Sequence, residues 1–221
     1  MCGSVYLILC HAKSFERVFM RKKHLEILLE QVSGFASADL LKEQYKTSVS
    51  VAAELLFSAY MKGDIRDRVV FDLGCGTGIL GIGSELLGSR CVVGVDCDIG
   101  ALRIARENAL VQGCSNISFV CCDIDRFCGS GHTVVMNPPF GVQMKGGDRP
   151  FLRCAARIGD VIYSIHNKGS SGFVQKYMSP SIVTEVKPVK FAIPRTFWFH
   201  RDDVRMIDVE LYRIVVCERH G

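Results

Sequence analysis

Four consecutive residues, Asn137-Pro138-Pro139-Phe140, carry the densest chemistry in this chain. They follow an apolar run, Thr133-Val134-Val135-Met136, that reads as a buried strand. The two prolines fix φ and remove two backbone donors, so the turn is stiff and its carbonyls face no local N–H. Asn137 adds a side-chain carbonyl acceptor, and Phe140 adds a flat apolar face. Together they could grip a planar group that bears an NH2, with two acceptors for the amine and one ring to stack on. A proline-rich turn capped by Asn would use the same residues without any ligand.

The second cluster is Asp72-Leu-Gly-Cys-Gly-Thr-Gly78, which joins a predicted strand to a predicted helix. Gly74, Gly76 and Gly78 let the backbone approach a ligand at the helix N-terminus, where a side chain would clash. Asp96 ends the next strand, and a carboxylate there can bind both hydroxyls of a ribose. Asp123 ends the third strand and can reach an adenine amine. Open α/β sheets bind ligands at these carboxyl ends of adjacent strands.

Two cofactors fit such a site. Gly76-Thr-Gly78-Ile-Leu-Gly81 matches the Gly-x-Gly-x-x-Gly of dinucleotide folds, with Asp96 at the expected distance, so a nicotinamide-dependent oxidoreductase competes. Three features favour S-adenosylmethionine. Asp72 lies two residues before the first glycine, a position suited to hold a cationic amino-acid moiety. The glycine series starts early, at Gly74. No Tyr-x-x-x-Lys pair follows.

These residues need a frame to hold them. Apolar spacing at Leu25, Leu28, Leu29 and Val32 predicts a helix over 24–32, stopped by Gly34. Ser48 or Ser50 can cap a second helix with Val51, Leu55, Leu56 and Ala59 inward, ended by Gly63-Asp64. Predicted strands at 69–73, 91–95, 116–121, 133–136 and 161–165 alternate with helices at 78–87, from Asp98 to Leu110, 151–158 and 170–178. Two longer runs, 182–189 and 206–216, alternate in the manner of a final strand pair. The order predicts an α/β fold: a mostly parallel seven-stranded sheet with helices on both faces and one antiparallel strand.

Composition narrows the class. The chain has 221 residues, enough for one domain with a large core. Hydrophobic content of 48% with 23% charged residues argues against disorder. A net charge of +4 is compatible with a nucleic-acid partner but does not demonstrate one. Eleven cysteines contain no Cys-x-x-Cys pair and match no zinc spacing. They suit small buried hydrophobes in a reducing compartment, and a cytoplasmic location is expected. No apolar run reaches membrane-spanning length, so no membrane partner is expected. Residues 1–19 read as a dispensable extension, with Met20-Arg21-Lys22-Lys23 the more natural start.

Asp72-Leu-Gly-Cys-Gly-Thr-Gly, Gly94-Val-Asp96 and Met136-Asn-Pro-Pro-Phe-Gly141 resemble the Rossmann-like class I methyltransferases that alkylate exocyclic amines. Leu41-Lys-Glu-Gln44-Tyr-Lys-Thr47, Phe151-Leu and Tyr163-Ser-Ile-His166 narrow the likeness to the methyltransferase-like 5 family, over about residues 20–215. The resemblance implies adenine-N6 methylation of small-subunit ribosomal RNA from S-adenosylmethionine. It implies that a helical segment, 20–66, closes over the cofactor through Gln44 and Thr47, ahead of a methyltransferase domain at 67–221. Gly74, Thr77 and Ile79 would line the methionine end, Asp96 would hold the ribose, and Asp123 with Ile124 the adenine.

Asn137 and the Pro138 carbonyl would bind the target amine, with Pro139 stiffening the turn and Phe140 stacking on the base. A small zinc-binding activator protein is also implied, adding a strand at a sheet edge formed by 91–95 and 117–122. Two departures stand out. Lys46 replaces a usual proline, and Asp202-Asp203 replace usual basic residues. Glutamine-N5 methyltransferases of release factors share the amine chemistry, but more often carry Tyr at the place of Phe140 and lack the Glu-Gln-Tyr segment.

Overall fold

The computed structural model describes residues 20–32, 47–139, 146–194 and 204–217. The expectations placed on residues 1–19, Gly34, Gln44, Phe140 and Asp202-Asp203 lie outside them.

Two helices, α1 (Lys22–Glu30) and α2 (Val49–Met61), precede the sheet. Ser48 caps α2 by accepting the Val51 N–H at 3.3 Å. Then follow β1 (Val69–Leu73), α3 (Ile79–Leu86), β2 (Cys91–Asp96), α4 (Ile99–Val111), β3 (Ile117–Cys121) and β4 (Thr133–Met136). The chain continues through α5 (Arg149–Ile158), β5 (Val161–Asn167), α6 (Ser171–Met178), β6 (Ile182–Pro194) and β7 (Val204–Val215). Asp98 caps α4, accepting from Gly100 and Ala101.

The seven strands lie in the order β3-β2-β1-β4-β5-β7-β6. β7 pairs antiparallel with both of its neighbours, and the other pairings are parallel. This is the mostly parallel α/β sheet with one reversed strand that the element order predicts.

The strands bury both faces. Val135 joins the core under α1, α2 and α3, while Val134 and Met136 join the core under α5 and α6. Such a period-two split is what a strand covered on both sides requires. At the amino end of the sheet, Asp64 accepts the Tyr163 hydroxyl at 2.6 Å and the Arg213 Nε–H at 2.9 Å. Burial first, then Asp64, push the Tyr163 hydroxyl well above its usual range. The α2–β1 connection is thereby stapled to β5 and β7.

Two expectations need correction. The run 91–95 is not a sheet edge: β2 lies between β1 and β3, with Val92 and Val95 buried. Only β3 of that pair forms the edge. The last two strands also outrun their alternating pattern, reaching Pro194 and starting at Val204. Pro188 and Pro194 are tolerated because β6 is the other edge strand, where a missing donor breaks no internal ladder.

Candidate active site

The sheet register gathers the predicted residues. Leu73 stands beside Val95 on one side and Met136 on the other, and Asp96 stands beside Cys121. Gly74, Asp96 and Asn137 therefore leave three adjacent strands at one level, with Asp123 two residues past the end of β3.

The glycine loop is held from three sides. Gly74 and Cys75 both donate to the Val95 carbonyl, at 2.8 and 3.0 Å. Asp96 Oδ2 accepts the Gly76 N–H at 2.8 Å, and Oδ1 accepts the Asp98 N–H at 2.9 Å. Asn108 of α4 donates to the Thr77 carbonyl at 2.9 Å. Gly78 ends the loop at φ +89, where a Cβ would stand 3.2 Å from that of Ala105. Only glycine takes that conformation without strain.

Asp72 lies beneath this loop, with 1% of its surface exposed. Its Oδ2 accepts the Gly81 N–H at 2.7 Å, in the first turn of α3, where the helix dipole favours a carboxylate. Burial raises its pKa to about 7, and the neighbouring Asp96 charge adds to the rise while the Gly81 bond opposes it. Its Oδ1 is buried without a hydrogen-bond partner among the described residues. An orphaned buried carboxylate oxygen fits a cationic group bound nearby.

Thr77 and Ile79 are buried, each 4% exposed, so what they can offer a cofactor is chiefly backbone. Asp96 keeps spare lone pairs on both oxygens, which suits a ribose diol. Asp123 is exposed, and its Oδ1 accepts the Asp125 N–H at 2.9 Å. Ile124 is half-buried against the α5 side of the core. The residues present thus fit the nucleoside and methionine ends of S-adenosylmethionine.

Asn137 is the focus of the site. Its Nδ2 donates to Thr47 Oγ1 at 2.9 Å, and its Oδ1 is buried with no hydrogen-bond partner among the described residues. An Asn side chain commonly bonds the backbone N–H two residues on. Here both following residues are prolines, so no such N–H exists. The motif leaves a desolvated acceptor at the strand end. Pro138 is buried and Pro139 half-buried beside it.

Sequence reasoning missed three parts of this arrangement. Asn108 pins the loop from the inward stripe of α4; a polar residue among Ala101, Leu102, Ala105 and Ala109 was the available signal. Asp72 faces the start of α3 as well as any ligand. Thr47 reaches Asn137 rather than standing apart from it. His166 is buried between Ser164 at 2.7 Å and Asp148 at 3.5 Å, edge-on to Tyr212. Several basic residues are held in ion pairs: Lys22 and Lys187 with Glu54, and Lys168 with Asp208.

Comparison with known proteins decides the family. Residues 52–137, from α2 to Asn137, match the model of the ribosomal protein L11 methyltransferase (PrmA) family. The chain is 34% identical to the rRNA N(6)-adenosine-methyltransferase METTL5 of Danio rerio, over 88% of this chain and 98% of that one. The chain belongs to the METTL5 family. The Drosophila melanogaster METTL5 is 32% identical over 89% of this chain and 97% of its own. The crystal structure of a candidate RNA methyltransferase from Pyrococcus horikoshii superposes with a TM-score of 0.82 and 39% identity, covering 90% of this chain and 99% of that one. METTL5 membership and the class I methyltransferase fold imply S-adenosylmethionine as the methyl donor, and they remove the nicotinamide oxidoreductase from contention.

Proposed function

We propose that this protein methylates N6 of an unpaired adenine in small-subunit ribosomal RNA. The observation that carries the reading is the buried Oδ1 of Asn137 at the end of β4, beside the glycine loop and without a partner among the described residues. The METTL5 relatives, named as rRNA N6-adenosine methyltransferases, supply the substrate class.

S-adenosylmethionine supplies an electrophilic methyl on a sulfonium. Asp96 would hold its ribose, Asp123 and Ile124 its adenine, and Gly74, Thr77 and Ile79 its methionine end, with Gln44 and Thr47 closing over the cofactor from the segment ahead of α2. Asn137 Oδ1 and the Pro138 carbonyl each accept one N–H of the substrate amine. An aromatic amine is a weak nucleophile because its lone pair is shared with the ring. Two acceptors held in place draw the nitrogen towards sp3 and aim the lone pair at the methyl carbon. The N–C bond would form as the C–S bond breaks, the neutral thioether S-adenosylhomocysteine would leave, and the nitrogen, acidic once alkylated, would release its proton to solvent. Positioning supplies most of the rate, and no prior base is needed. Phe140 would stack on the base, which must be unpaired or flipped out to enter.

The proposal extends to a partner. β3 is a free edge among the described residues, with Ile117, Phe119 and Val120 half-buried. A small zinc-binding activator protein could add a strand there. Co-elution in size exclusion, with stabilisation of the chain, is the expected result; failure to associate counts against it.

The function is tested by product identity. The protein is incubated with labelled S-adenosylmethionine and either small ribosomal subunits or release factor, and the digest is analysed. N6-methyladenosine is expected; N5-methylglutamine would transfer the same clamp to a protein substrate.

A further inference from the structure

α5 joins the parallel strands β4 and β5, so it starts at the carboxyl edge of the sheet and runs back along it. Its first turn therefore stands near the glycine loop. Leu152, Ala155 and Ile158 are fully buried in the core beneath the helix, whereas Phe151 is only half-buried. The Phe151 ring lies against Gly74: a Cβ added to that glycine would stand 2.8 Å from Phe151 Cε1. Gly74, at φ +68, thus leaves room for an aromatic ring at the first turn of the loop.

The start of α5 is fixed on two sides. Asp148, just before the helix, lies 3.5 Å from the buried His166 of β5. The Arg149 guanidinium lies over the rings of Phe173 and Tyr177 of α6, at 5.7 and 6.0 Å. The Tyr177 hydroxyl donates to the Arg149 carbonyl at 3.4 Å. Phe151 therefore meets Gly74 from a helix end that β5 and α6 hold in place.

We propose that Phe151 is a cofactor-binding residue: its ring flanks the methionine end of S-adenosylmethionine beside Gly74 and favours the sulfonium cation. The inference rests on the methyl-transfer reading above. Two independent observations carry it. One is the half-buried ring seated on Gly74. The other is Asp72, two residues earlier, whose buried Oδ1 has no partner among the described residues and suits a positive ligand. The face of an aromatic ring is electronegative and attracts a cation. Methyl transfer removes that cation, since S-adenosylhomocysteine is neutral at sulfur. A ring that prefers the sulfonium thus holds the donor and eases exchange of the spent product.

The test compares two ligands that differ by one methyl and one charge. Titration calorimetry gives the Kd of each for wild type, Phe151→Leu and Phe151→Tyr. Phe151→Leu fills apolar space without a ring. It should weaken S-adenosylmethionine about tenfold and S-adenosylhomocysteine about twofold. Phe151→Tyr keeps the ring and should hold the ratio of the two affinities within about twofold of wild type. Thermal melting of the free proteins detects misfolding, and Phe151→Met supplies a second ringless variant should Phe151→Leu not fold. Equal losses for the two ligands would overturn the proposal and leave Phe151 as core packing; unchanged affinities would overturn it too. A wild type that binds neither ligand would sink both this proposal and the methyl-transfer reading. A wild type that methylates glutamine would sink only the adenine reading, because donor binding is measured without the acceptor.

Discussion

Asp96 Oδ2 accepts the Gly76 N–H at 2.8 Å, tying the end of β2 to the middle of the glycine loop. The carboxylate expected to hold a ribose therefore also shapes the loop beside it. Asp96→Ala removes both functions at once. Cofactor affinity should fall by about tenfold to a hundredfold, as for a lost charge-assisted hydrogen bond at a bound ligand. Titration calorimetry with S-adenosylmethionine checks this, and unchanged affinity would place the ribose elsewhere.

Asp72 gives a pH signature. Its folded-state pKa is raised to about 7 from 3.8, chiefly by burial. The folded state therefore holds this proton more tightly than the unfolded chain does. The Asp72 contribution to stability is fully present below pH 3.8 and is lost as pH rises towards 7. Between pH 5 and pH 8 the loss amounts to about 2–3 kcal/mol. Asp72→Asn keeps an acceptor for the Gly81 N–H and removes the ionisation. Urea unfolding at the two pH values should show the variant gaining on wild type by that amount. Parallel losses in both proteins would contradict the assignment.

Gly78 tests the loop backbone. At φ +89 and with Ala105 Cβ 3.2 Å from an added methyl, alanine meets both strain and crowding. Gly78→Ala should cost about 1–3 kcal/mol in stability and weaken cofactor binding. Denaturant midpoints and calorimetry measure the two effects; a neutral substitution would mean that the loop relaxes without cost.

Asn108 tests the pin on the loop. Its Nδ2 bonds the Thr77 carbonyl at 2.9 Å within the core. Asn108→Ala leaves that carbonyl without this donor, for an expected cost of about 1–3 kcal/mol. Because the loop loosens, the S-adenosylmethionine Kd should rise too. Destabilisation with unchanged Kd would confine Asn108 to folding.

Much of this site was legible in the chain itself. The glycine spacing from Gly74 to Gly78 and Asp96 some twenty residues on mark a loop and a strand end whatever their neighbours. Ser48 and Asp98 announced their helices because capping is local chemistry. What stayed hidden depends on register and distance. Thr47 meets Asn137, and Asp64 meets Arg213, only once the sheet has formed. Apolar runs suggested β2 as an edge, but strand order, which no single segment encodes, put it inside. The proline pair showed stiffness from the start; that it also deprives Asn137 Oδ1 of a local donor emerged from the hydrogen-bond pattern.

The central claim is that Asn137 positions the amine that receives the methyl group. The most direct measurement is single-turnover methyl transfer by Asn137→Ala saturated with labelled S-adenosylmethionine, alongside its cofactor Kd. The account expects transfer to small-subunit rRNA to fall by about a hundredfold or more while the Kd stays within about twofold. Transfer near the wild-type rate at unchanged Kd would contradict it.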